Sequence, residues 1–464
     1  MSSTELHPGT ASFSVNPATG ERFARHDPLS DADLERVLAR TAQAAGRWKD
    51  SSHVERQSLL RRFGAALRTA RDGLAEEATR EMGKPIAQAR AEVEKCAALC
   101  DWYADHLPRL LADEPLDAGE RTAWLAYRPL GVIFAVMPWN FPHWQILRAA
   151  MPIIAGGNGF LVKPAINTIG SARMLERLWQ ETDGPPDVFA VAHVTNEQAS
   201  TIIADRRIAG VTVTGSVAAG SAIAAQAGRA VKKTVLELGG ADPFIVLADA
   251  DLDEVVPAAV TARFQNSGQI CIAAKRLILE APIAAAFTRR FKDAVAALKI
   301  GDPMEEETFI GPMAREDLLR SLDDQVRRSI AAGARLLTGG KRLDGPGAFY
   351  APTILADVRP GMAAFDEELF GPVASLVVAA DRDDAVTLAN RSEYGLNASI
   401  WTSDPEAGRR LAARIEAGGV FINAIPASDP RLPIGGIKRS GYGRELGAHG
   451  IRAFMNAQTV CDAG

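Results

Sequence analysis

A cysteine in the middle of the chain is the first candidate for a chemical role. Cys271 lies in the run FQNSGQICIAAKR, residues 264–276, among small and amide side chains that leave room around a thiolate for a reacting carbonyl. Activation of a thiolate needs a nearby base, a cation or backbone N–H dipoles, and the flanking residues include no histidine. A cysteine between Ile270 and Ile272 is equally compatible with a small buried hydrophobe. The segment alone leaves both interpretations open.

Two further segments carry groups that would assist such a thiolate. Asn140 has Pro138 and Pro142 on its two sides, which would hold its amide in the fixed direction that an oxyanion donor requires. Glu237 follows the apolar residues TVL and precedes two glycines, and a desolvated carboxylate has the raised pKa that suits a general base. A turn-forming asparagine and a structural acid bonded to loop amides are the alternatives.

A third group of residues has the features of a phosphate site. Gly215 and Gly220 bracket the strand-to-helix turn GSVAAG, whose N–H groups would point at an anion. This turn lacks the three-glycine dinucleotide fingerprint. Lys163 ends the strand-like segment FLVK, where its charge would favour phosphate or ribose oxygens. A solvated lysine at a strand end is the alternative.

The surrounding pattern predicts the elements that position these residues. Ser30 and Asp33 are placed as an N-cap pair before a helical apolar repeat, and residues up to about 100 are predicted to be largely helical. Residues 120–137 predict an exposed β-arm followed by a buried strand. Helix and strand patterns then alternate to about residue 214, and again from residue 240, which is typical of two parallel α/β sheets with the chemistry between them.

Composition favours small-molecule chemistry. The 464 residues exceed one hydrophobic core, and the net charge of −5 provides no field attractive to nucleic acid or to an anionic membrane. The N-terminal MSSTELHPGT lacks a signal sequence, which predicts a cytoplasmic protein. Four cysteines in so long a chain predict no disulfide framework. Cys96 and Cys100 share one helical face and are interpreted as packing residues, and no metal site is predicted.

The motifs together resemble one family. MPWNFP, VTVTGS, LELGG, GQIC, EELFGPV and PIGGIKRSGYGRELG occur in the order and approximate spacing typical of the aldehyde dehydrogenase superfamily, over nearly the whole chain. The resemblance implies that Cys271 is the nucleophile, Glu237 the base for the deacylating water, and Asn140 an oxyanion donor with the Cys271 N–H. An aldehyde would form a thiohemiacetal, lose hydride to nicotinamide and leave a thioester for hydrolysis.

The same resemblance implies a coenzyme, NAD or NADP. Lys163 matches an adenosine-ribose contact, and Glu368 and Phe370 match positions at the nicotinamide side. Ile166 stands where members that prefer NAD often carry a glutamate that repels a 2′-phosphate, which predicts dual use with a slight preference for NADP. The full predicted coenzyme set is Pro138, Trp139, Lys163, Ala165, Gly215, Ser216, Gly220, Leu238, Glu368 and Phe370.

The implied fold is α/β with three parts. A Rossmann-like coenzyme domain is expected at residues 1–119 and 137–239, and an α/β catalytic domain at residues 240–435. A small β-arm oligomerisation domain, at residues 120–136 and 447–464, would build homodimers or homotetramers.

For the substrate, the chain resembles the bacterial succinate-semialdehyde dehydrogenase branch, with an ASD loop at residues 427–429. Arg148 matches an arginine that binds the substrate carboxylate in that branch; a helix-surface or salt-bridge arginine is the alternative, since other aldehyde dehydrogenases also carry arginine there. Gln265 stands where some members carry a second arginine. Ser428 and Arg431 are the candidates from the late loop. The alternatives are an aromatic or aliphatic aldehyde, a cysteine-dependent ester or thioester hydrolase, and a non-catalytic binding protein.

Overall fold

The computed structural model describes residues 11–462, so the N-terminal MSSTELHPGT and the last two residues of the predicted arm lie outside the described residues. The strands are β1 (Ser12–Val15), β2 (Arg22–His26), β3 (Glu114–Leu116), β4 (Thr122–Pro129), β5 (Val132–Val136), β6 (Gly159–Lys163), β7 (Phe189–Val191), β8 (Ile208–Thr214), β9 (Lys233–Glu237), β10 (Pro243–Val246), β11 (Arg276–Glu280), β12 (Arg335–Thr338), β13 (Thr353–Ala356), β14 (Val373–Ala379), β15 (Tyr394–Gly395), β16 (Asn397–Trp401), β17 (Gly419–Ile422), β18 (Ile437–Lys438), β19 (Gly441–Tyr442) and β20 (Met455–Asp462).

The helices are α1 (Asp31–Trp48), α2 (His53–Thr69), α3 (Arg71–Met82), α4 (Ile86–Leu110), α5 (Trp144–Ala155), α6 (Ile169–Glu181), α7 (Asn196–Ala204), α8 (Val217–Arg229), α9 (Leu252–Phe264), α10 (Ala281–Ala296), α11 (Glu316–Ala331), α12 (Ala363–Asp366), α13 (Arg382–Asn390), α14 (Pro405–Ala412) and α15 (Gly447–Arg452). A short 3-10 turn covers Gln265–Gly268. The predicted N-cap is confirmed, since the Ser30 hydroxyl accepts from the Asp33 N–H at the start of α1.

Strands β5 to β9, together with the short β19 from near the C-terminus, form a six-stranded sheet in the order β19-β9-β8-β5-β6-β7. Strands β5 to β9 are parallel to their neighbours in it, and β19 is antiparallel to β9. The chain proceeds outward from β5 through β6 and β7, and then returns to the other side of β5 with β8 and β9. The strand order therefore reverses between β5 and β8, which is where ligands of open α/β sheets bind, beyond the carboxyl ends of the strands.

The second half forms a seven-stranded sheet in the order β12-β13-β14-β11-β10-β16-β17, parallel except for β12. Its strands are short and apolar, as expected for a parallel sheet that is buried on both faces. The short segment between β9 and β10 joins the carboxyl end of the first sheet directly to the amino end of the second. The two predicted α/β series are thus present as two sheets.

Three antiparallel strands in the order β20-β4-β3 form the arm. The C-terminal strand pairs with β4 along its whole length, from Met455 opposite Pro129 to Asp462 opposite Thr122. The strands of this sheet do not coincide with the expected bounds of 120–136. Strand β5 lies inside the six-stranded sheet, because its apolar side chains are buried there, and β3 belongs to the arm.

Helices α2, α4 and α5 pack against the six-stranded sheet and share its core. Cys96 and Cys100 of α4 are fully buried in that core, as predicted for packing residues. The same helix also carries charged residues, Glu92 and Lys95, toward the site between the sheets.

Candidate active site

The candidate residues converge on the crevice between the two sheets. Asn140 follows β5, Lys163 ends β6, Gly215 follows β8 and Glu237 ends β9, all at carboxyl ends of strands in the six-stranded sheet. Cys271 precedes β11 at the amino end of the seven-stranded sheet. Segments far apart in the chain are therefore brought together by sheet topology alone.

Cys271 is preceded by a strained backbone turn. Asn266 and Ser267 both have φ of 53°, and Gly268 has φ of 72°. Left-handed conformations at non-glycine residues cost about 1–3 kcal/mol each and persist only where the surroundings impose them. A Cβ at Gly268 would lie 2.2 Å from the Gly371 carbonyl oxygen, so glycine is required there for space as well as for conformation.

Arg263 at the end of α9 holds this turn in place. Its fully buried guanidinium donates to the carbonyls of Gly268, Leu369, Gly371 and Val373 at 2.5–3.2 Å. The turn is thereby attached to the loop that carries Glu368 and Phe370. One buried cation thus fixes both the nucleophile segment and the segment predicted to contact the nicotinamide.

Lys275 positions the backbone at the nucleophile itself. Its ammonium donates to the carbonyls of Ile270, at 2.9 Å, and Cys271, at 2.5 Å, and pairs with Glu368 at 3.2 Å. The thiol of Cys271 is half-buried, and burial raises its pKa to about 11, against the opposing effects of the Arg148 and Lys275 charges. In this state the thiol is protonated at neutral pH.

Asn140 is buried beside the nucleophile segment. Its Nδ2 donates to the Gln269 carbonyl at 2.9 Å, and its own carbonyl accepts from the Asn266 side chain at 2.8 Å. A primary amide has two N–H donors, so one remains for a developing oxyanion. The loops of the two sheets are joined by these bonds.

Glu237 lies at the end of β9, where its backbone pairs with Thr214 on one side and Gly441 on the other. The side chain is almost completely buried and its Oε1 has no hydrogen-bond partner among the described residues. Burial raises its pKa to about 8; the Arg148 charge opposes this rise and Glu445 adds to it. A carboxyl with a pKa near neutrality is suited to accept a proton from water.

Arg148 lies next to these groups, but it is already paired. Its Nε is 2.5 Å from Oε2 of Glu445, and both side chains are buried. A second nitrogen donates to the Thr214 hydroxyl at 3.3 Å. The guanidinium charge acts on Cys271 and Glu237, so all four ionisable groups share one neighbourhood. Like Cys271 and Glu237, Arg148 is not among the residues lining the candidate aldehyde cavity described below.

The predicted coenzyme residues surround the reversal of strand order. Gly215 faces open space, and the exposed Ser216 caps α8 by accepting from the Ala219 N–H at 3.3 Å. Gly220 packs against Leu238, whose Cδ2 would be 2.5 Å from an added Cβ. Pro138, Trp139, Lys163, Ala165 and Ile166 follow or end neighbouring strands and are partly exposed.

At the nicotinamide side, Glu368 accepts from the Gly240 N–H at 3.0 Å and lies so close to Gly239 that an added Cβ would meet its carboxylate at 2.2 Å. Phe370 packs edge to face against Trp139, with ring centroids 5.7 Å apart. These contacts bring a loop of the second sheet against a loop of the first.

A cavity of about 170 Å³ lies next to the nucleophile segment and is the candidate aldehyde site; Ile270 and Ile272, on either side of Cys271, line it, whereas Cys271 itself does not. Ser428 and Gln265 line it, whereas Arg431 is exposed and bonds to Asp429 at 2.5 and 2.8 Å. The lining also includes Lys95, which the sequence analysis did not select. The full lining is Gln88, Ala91, Glu92, Lys95, Phe141, Ala262, Gln265, Ile270, Ile272, Ala273, Ile425, Pro426, Ala427 and Ser428.

Sequence reasoning missed the residues that position the others. Arg263 lies immediately before the run that contains the nucleophile, and Lys275 lies inside it. A positively charged residue among apolar and amide side chains was a sequence signal that the cation has a structural role. Lys95 lies three residues after Glu92 on a helix where the neighbouring positions are buried and apolar. A charged residue in such a stretch was a sequence signal that Lys95 has a specific role. Glu445 had no comparable signal, since its partner Arg148 is almost 300 residues away in the chain.

Residues 11–462 contain neither a metal-ligand cluster nor a membrane-spanning helix. No cluster of three or more histidine, cysteine, aspartate or glutamate side chains has the arrangement of a metal site. Among the described helices, none combines the length and the apolar character needed to cross a bilayer.

Comparison with known proteins agrees with this geometry. Residues 7–460 match the model of the aldehyde dehydrogenase family. The chain is 52% identical over 455 residues to succinate semialdehyde dehydrogenase [NAD(P)+] Sad of Escherichia coli strain K12, covering 98% of each protein. It is 46% identical over 446 residues to a probable succinate-semialdehyde dehydrogenase [NADP(+)] of Synechocystis, covering 96% of this chain and 98% of that protein.

Solved structures give the same result. The succinic semialdehyde dehydrogenase of Streptococcus pyogenes in complex with NADP+ superposes with a TM-score of 0.95 at 37% identity, covering 97% of this chain and 99% of that one. The α/β fold expected from the motifs is confirmed. By sequence and by structure, the chain belongs to the aldehyde dehydrogenase family.

Proposed function

We propose that this protein oxidises an aldehyde to a carboxylic acid, with NAD or NADP as the hydride acceptor. The observation that carries the proposal is the convergence of Cys271, Glu237 and Asn140 on one crevice between a nucleotide-type sheet and a second sheet. Membership in the aldehyde dehydrogenase family supports the reaction class. Nothing in the comparisons favours a hydrolase.

The residues of the crevice fit a dinucleotide. Gly215 has open space in front of it and precedes the N-terminus of α8, a 13-residue helix whose first N–H groups favour an anion. The Lys163 ammonium has no hydrogen bond or ion pair with any other described residue, which leaves it for a ribose or phosphate oxygen. Glu368 and Phe370 would hold the nicotinamide end, and when bound, the nicotinamide supplies a hydride acceptor.

The first chemical steps belong to Cys271. Its thiolate adds to the aldehyde carbon, and the resulting alkoxide is stabilised by the free N–H of the Asn140 amide. Because the thiol pKa is raised to about 11, thiolate formation depends on the positive charges of Arg148 and Lys275. A bound nicotinamide would accept hydride from the carbon of this adduct, which would leave a thioester on the same sulfur.

Hydrolysis of the thioester belongs to Glu237. Its carboxylate takes a proton from water, which attacks the acyl carbon and releases the carboxylic acid and the thiol. A pKa of about 8 makes this residue a stronger base than an ordinary glutamate, while a substantial fraction remains protonated at neutral pH. Deacylation should therefore speed up as pH rises through this value.

For the substrate, we propose succinate semialdehyde or a related short semialdehyde. The support comes from the names of the relatives and from the size of the cavity, which at about 170 Å³ is smaller than the usual 300–1,000 Å³ of sites for drug-sized ligands. Ser428 and Gln265 would bind the polar end of such a substrate. The expectation that Arg148 binds the substrate carboxylate has less support, because the guanidinium of Arg148 is already paired with Glu445.

A direct test is to follow absorbance at 340 nm with succinate semialdehyde, a medium-chain aldehyde and an aromatic aldehyde, each with NAD and with NADP. The acidic substrate should give the highest kcat/KM, and Cys271→Ala should abolish reduction of either coenzyme. Ester or thioester turnover without coenzyme reduction from any aldehyde would favour the hydrolase instead. Unchanged ligand responses in Cys271→Ala would favour a binding protein.

We propose use of both coenzymes, with a slight preference for NADP. Ile166 places no carboxylate next to the Lys163 segment, so nothing at that position repels a 2′-phosphate. Ile166→Glu should lower kcat/KM with NADP by about tenfold or more, the value of one like-charge contact, and change kcat/KM with NAD little. Equal losses with both coenzymes would contradict this assignment.

We further propose that the six-stranded sheet is the coenzyme-binding domain, the seven-stranded sheet the catalytic domain and the β20-β4-β3 sheet an oligomerisation arm. Supporting the last point, β20 is an edge strand with mostly exposed side chains, and such an edge can pair with another copy. Sedimentation equilibrium should give a dimer or tetramer, and deletion of residues 455–464 should give a smaller species. The free cysteines agree with a cytoplasmic location.

A further inference from the structure

Lys95 is a lysine with no ion-pair partner among residues 11–462. It lies on α4, lines the aldehyde cavity and is only partly exposed. Its ammonium is 4.1 Å from the centroid of the Trp144 ring, and no hydrogen bond or ion pair joins it to any other residue between 11 and 462. A largely desolvated ammonium is unfavourable unless an anion or hydrogen-bond acceptor compensates it.

The acidic residues nearest to Lys95 are already engaged. Glu92 pairs with Lys84 and also accepts from the backbone N–H groups of His143 and Trp144 at 2.8–2.9 Å. Asp429 bonds to Arg431 through both carboxylate oxygens. Lys95 thus lines the cavity without a hydrogen-bonded or ion-paired carboxylate of its own, while the charges of Glu92 and Asp429, each held by another cation, still act on it.

We propose that Lys95 binds the remote carboxylate of the substrate and thereby selects aldehydes that carry an acid group at their other end. Ser428, in the same cavity, adds a hydroxyl donor. The inference rests on the proposed function, because it names the carboxylate-binding residue for that same site. It assigns to Lys95 the role that the sequence analysis gave to Arg148.

The difference between the two cations supports this assignment. Arg148 is paired with Glu445 and acts on the pKa values of Cys271 and Glu237, so its loss should impair the oxidation of every aldehyde. Lys95 has no such partner, and its loss should impair only acidic substrates.

The test compares two substrates in three proteins. The substrates are succinate semialdehyde and butanal, which has the same number of carbons and no acid. In Lys95→Met, KM for succinate semialdehyde should rise by about tenfold or more with little change in kcat, while butanal kinetics stay within about twofold. Lys292→Met is the matched control, because Lys292 is exposed on α10, away from the cavity, and should leave both substrates unchanged.

Lys95→Arg should restore part of the lost selectivity, since it restores the charge. Equal losses for both substrates in Lys95→Met, or an unchanged KM for succinate semialdehyde, would overturn the proposal. Butanal turnover reports that the variant is folded. Failure of the proposed function has a different signature, because wild-type protein would then reduce no coenzyme with either aldehyde.

A measurement on wild-type protein covers the case in which Lys95→Met does not fold. Burial, with the adjacent Arg148 charge, lowers the pKa of Lys95 to about 8. The ratio of kcat/KM for succinate semialdehyde to that for butanal should therefore fall as pH rises from 7 to 9.5. Effects of pH on Cys271 and Glu237 apply to both substrates and cancel in the ratio. A ratio that stays constant over this range would also overturn the proposal.

The other charged groups around Lys95 do not predict this fall. Arg148 remains charged, and burial raises the pKa of Cys96 well above its usual range. The pKa values of Glu92 and Asp429 are lowered, by Lys84 and Arg431 respectively, so both stay ionised. Lys84 has a lowered pKa through burial, but it does not line the cavity.

Discussion

Arg148 and Glu445 form a buried ion pair, 2.5 Å from Nε to Oε2, and the Arg148 charge acts on both the candidate nucleophile and the candidate base. The pair brings a helix of the first half of the chain against the loop that precedes α15. Its two charges have opposite effects on Glu237, since Arg148 lowers the pKa of that carboxyl and Glu445 raises it. Burial is the largest cause of the raised pKa of Glu237, and the balance between these two charges adjusts it.

Glu445→Gln should shift the pH dependence of turnover. Without the negative charge, the pKa of Glu237 falls, so the acid limb of the kcat profile should move to lower pH. Unfolding free energy should decrease by about 3–5 kcal/mol, because Arg148 is left buried without a partner. Urea denaturation and a pH–kcat profile measure the two effects.

Arg148→Met provides the matched comparison and should move the acid limb in the opposite direction. In a double-mutant cycle, the double variant should be less destabilised than the sum of the two single variants, because neither charge is then left alone. Additive destabilisation would show that the two side chains do not interact as the geometry indicates.

Glu237→Gln should make the free energy of unfolding less dependent on pH between pH 5 and pH 9. The pKa of Glu237 is raised from 4.5 to about 8, so the protonated form stabilises the fold below pH 4.5 and this contribution is lost as pH rises through about 8. Glutamine cannot ionise, and the variant should therefore gain stability relative to wild type between pH 5 and pH 9. Deacylation should slow by about 10²–10⁴-fold. A stability difference that is constant with pH would contradict the buried, protonated state.

Cys271 should react slowly with iodoacetamide in the free protein. With a pKa of about 11, roughly one thiol in ten thousand is ionised at pH 7, and the alkylation rate should rise about tenfold for each pH unit up to pH 9. Cys461 is exposed and should be labelled first, so the rate is best measured in a Cys461→Ser background by mass spectrometry. Rapid labelling of Cys271 at pH 7, independent of pH, would show an ionised thiol instead.

Gly220→Ala should weaken coenzyme binding. The added Cβ would lie 2.5 Å from Cδ2 of Leu238, so the Leu238 side chain or the start of α8 must move, and KM for either coenzyme should rise by about tenfold. Gly228 on the same helix has no atom within 4 Å of an added Cβ, and Gly228→Ala should instead stabilise the protein by about 0.5–1 kcal/mol. Equal KM values for the two variants would show that the close contact between Gly220 and Leu238 does not affect coenzyme binding.

The sequence predicted those parts of the fold whose signals are local. The N-cap at Ser30, the packing of Cys96 and Cys100, and the alternation of helix and strand all depend on neighbouring residues, and the structure contains each of them. Strand partners are different, because pairing depends on residues far apart in the chain. Residues 132–136 follow the arm directly, yet their side chains are apolar on both faces, as only a central strand requires.

In the site, too, local features could be predicted from the sequence and tertiary contacts could not. The motifs selected the candidate nucleophile, base and oxyanion donor, since each belongs to a short distinctive run. They did not reveal that Arg148 is neutralised by Glu445, nor that Lys95 is left unpaired, because both facts depend on tertiary neighbours. The sequence gives the charge of a side chain, but only the folded structure shows whether another residue neutralises that charge.

The hydrogen bonds between the Asn140 loop and the turn at Asn266 have a consequence for motion. They span the boundary between the two sheets at the reaction centre, whereas the Gly215 side of the crevice is open. Since these bonds tie Asn140 to the segment that leads into Cys271, a displacement of one sheet relative to the other would carry the sulfur and its amide donor together.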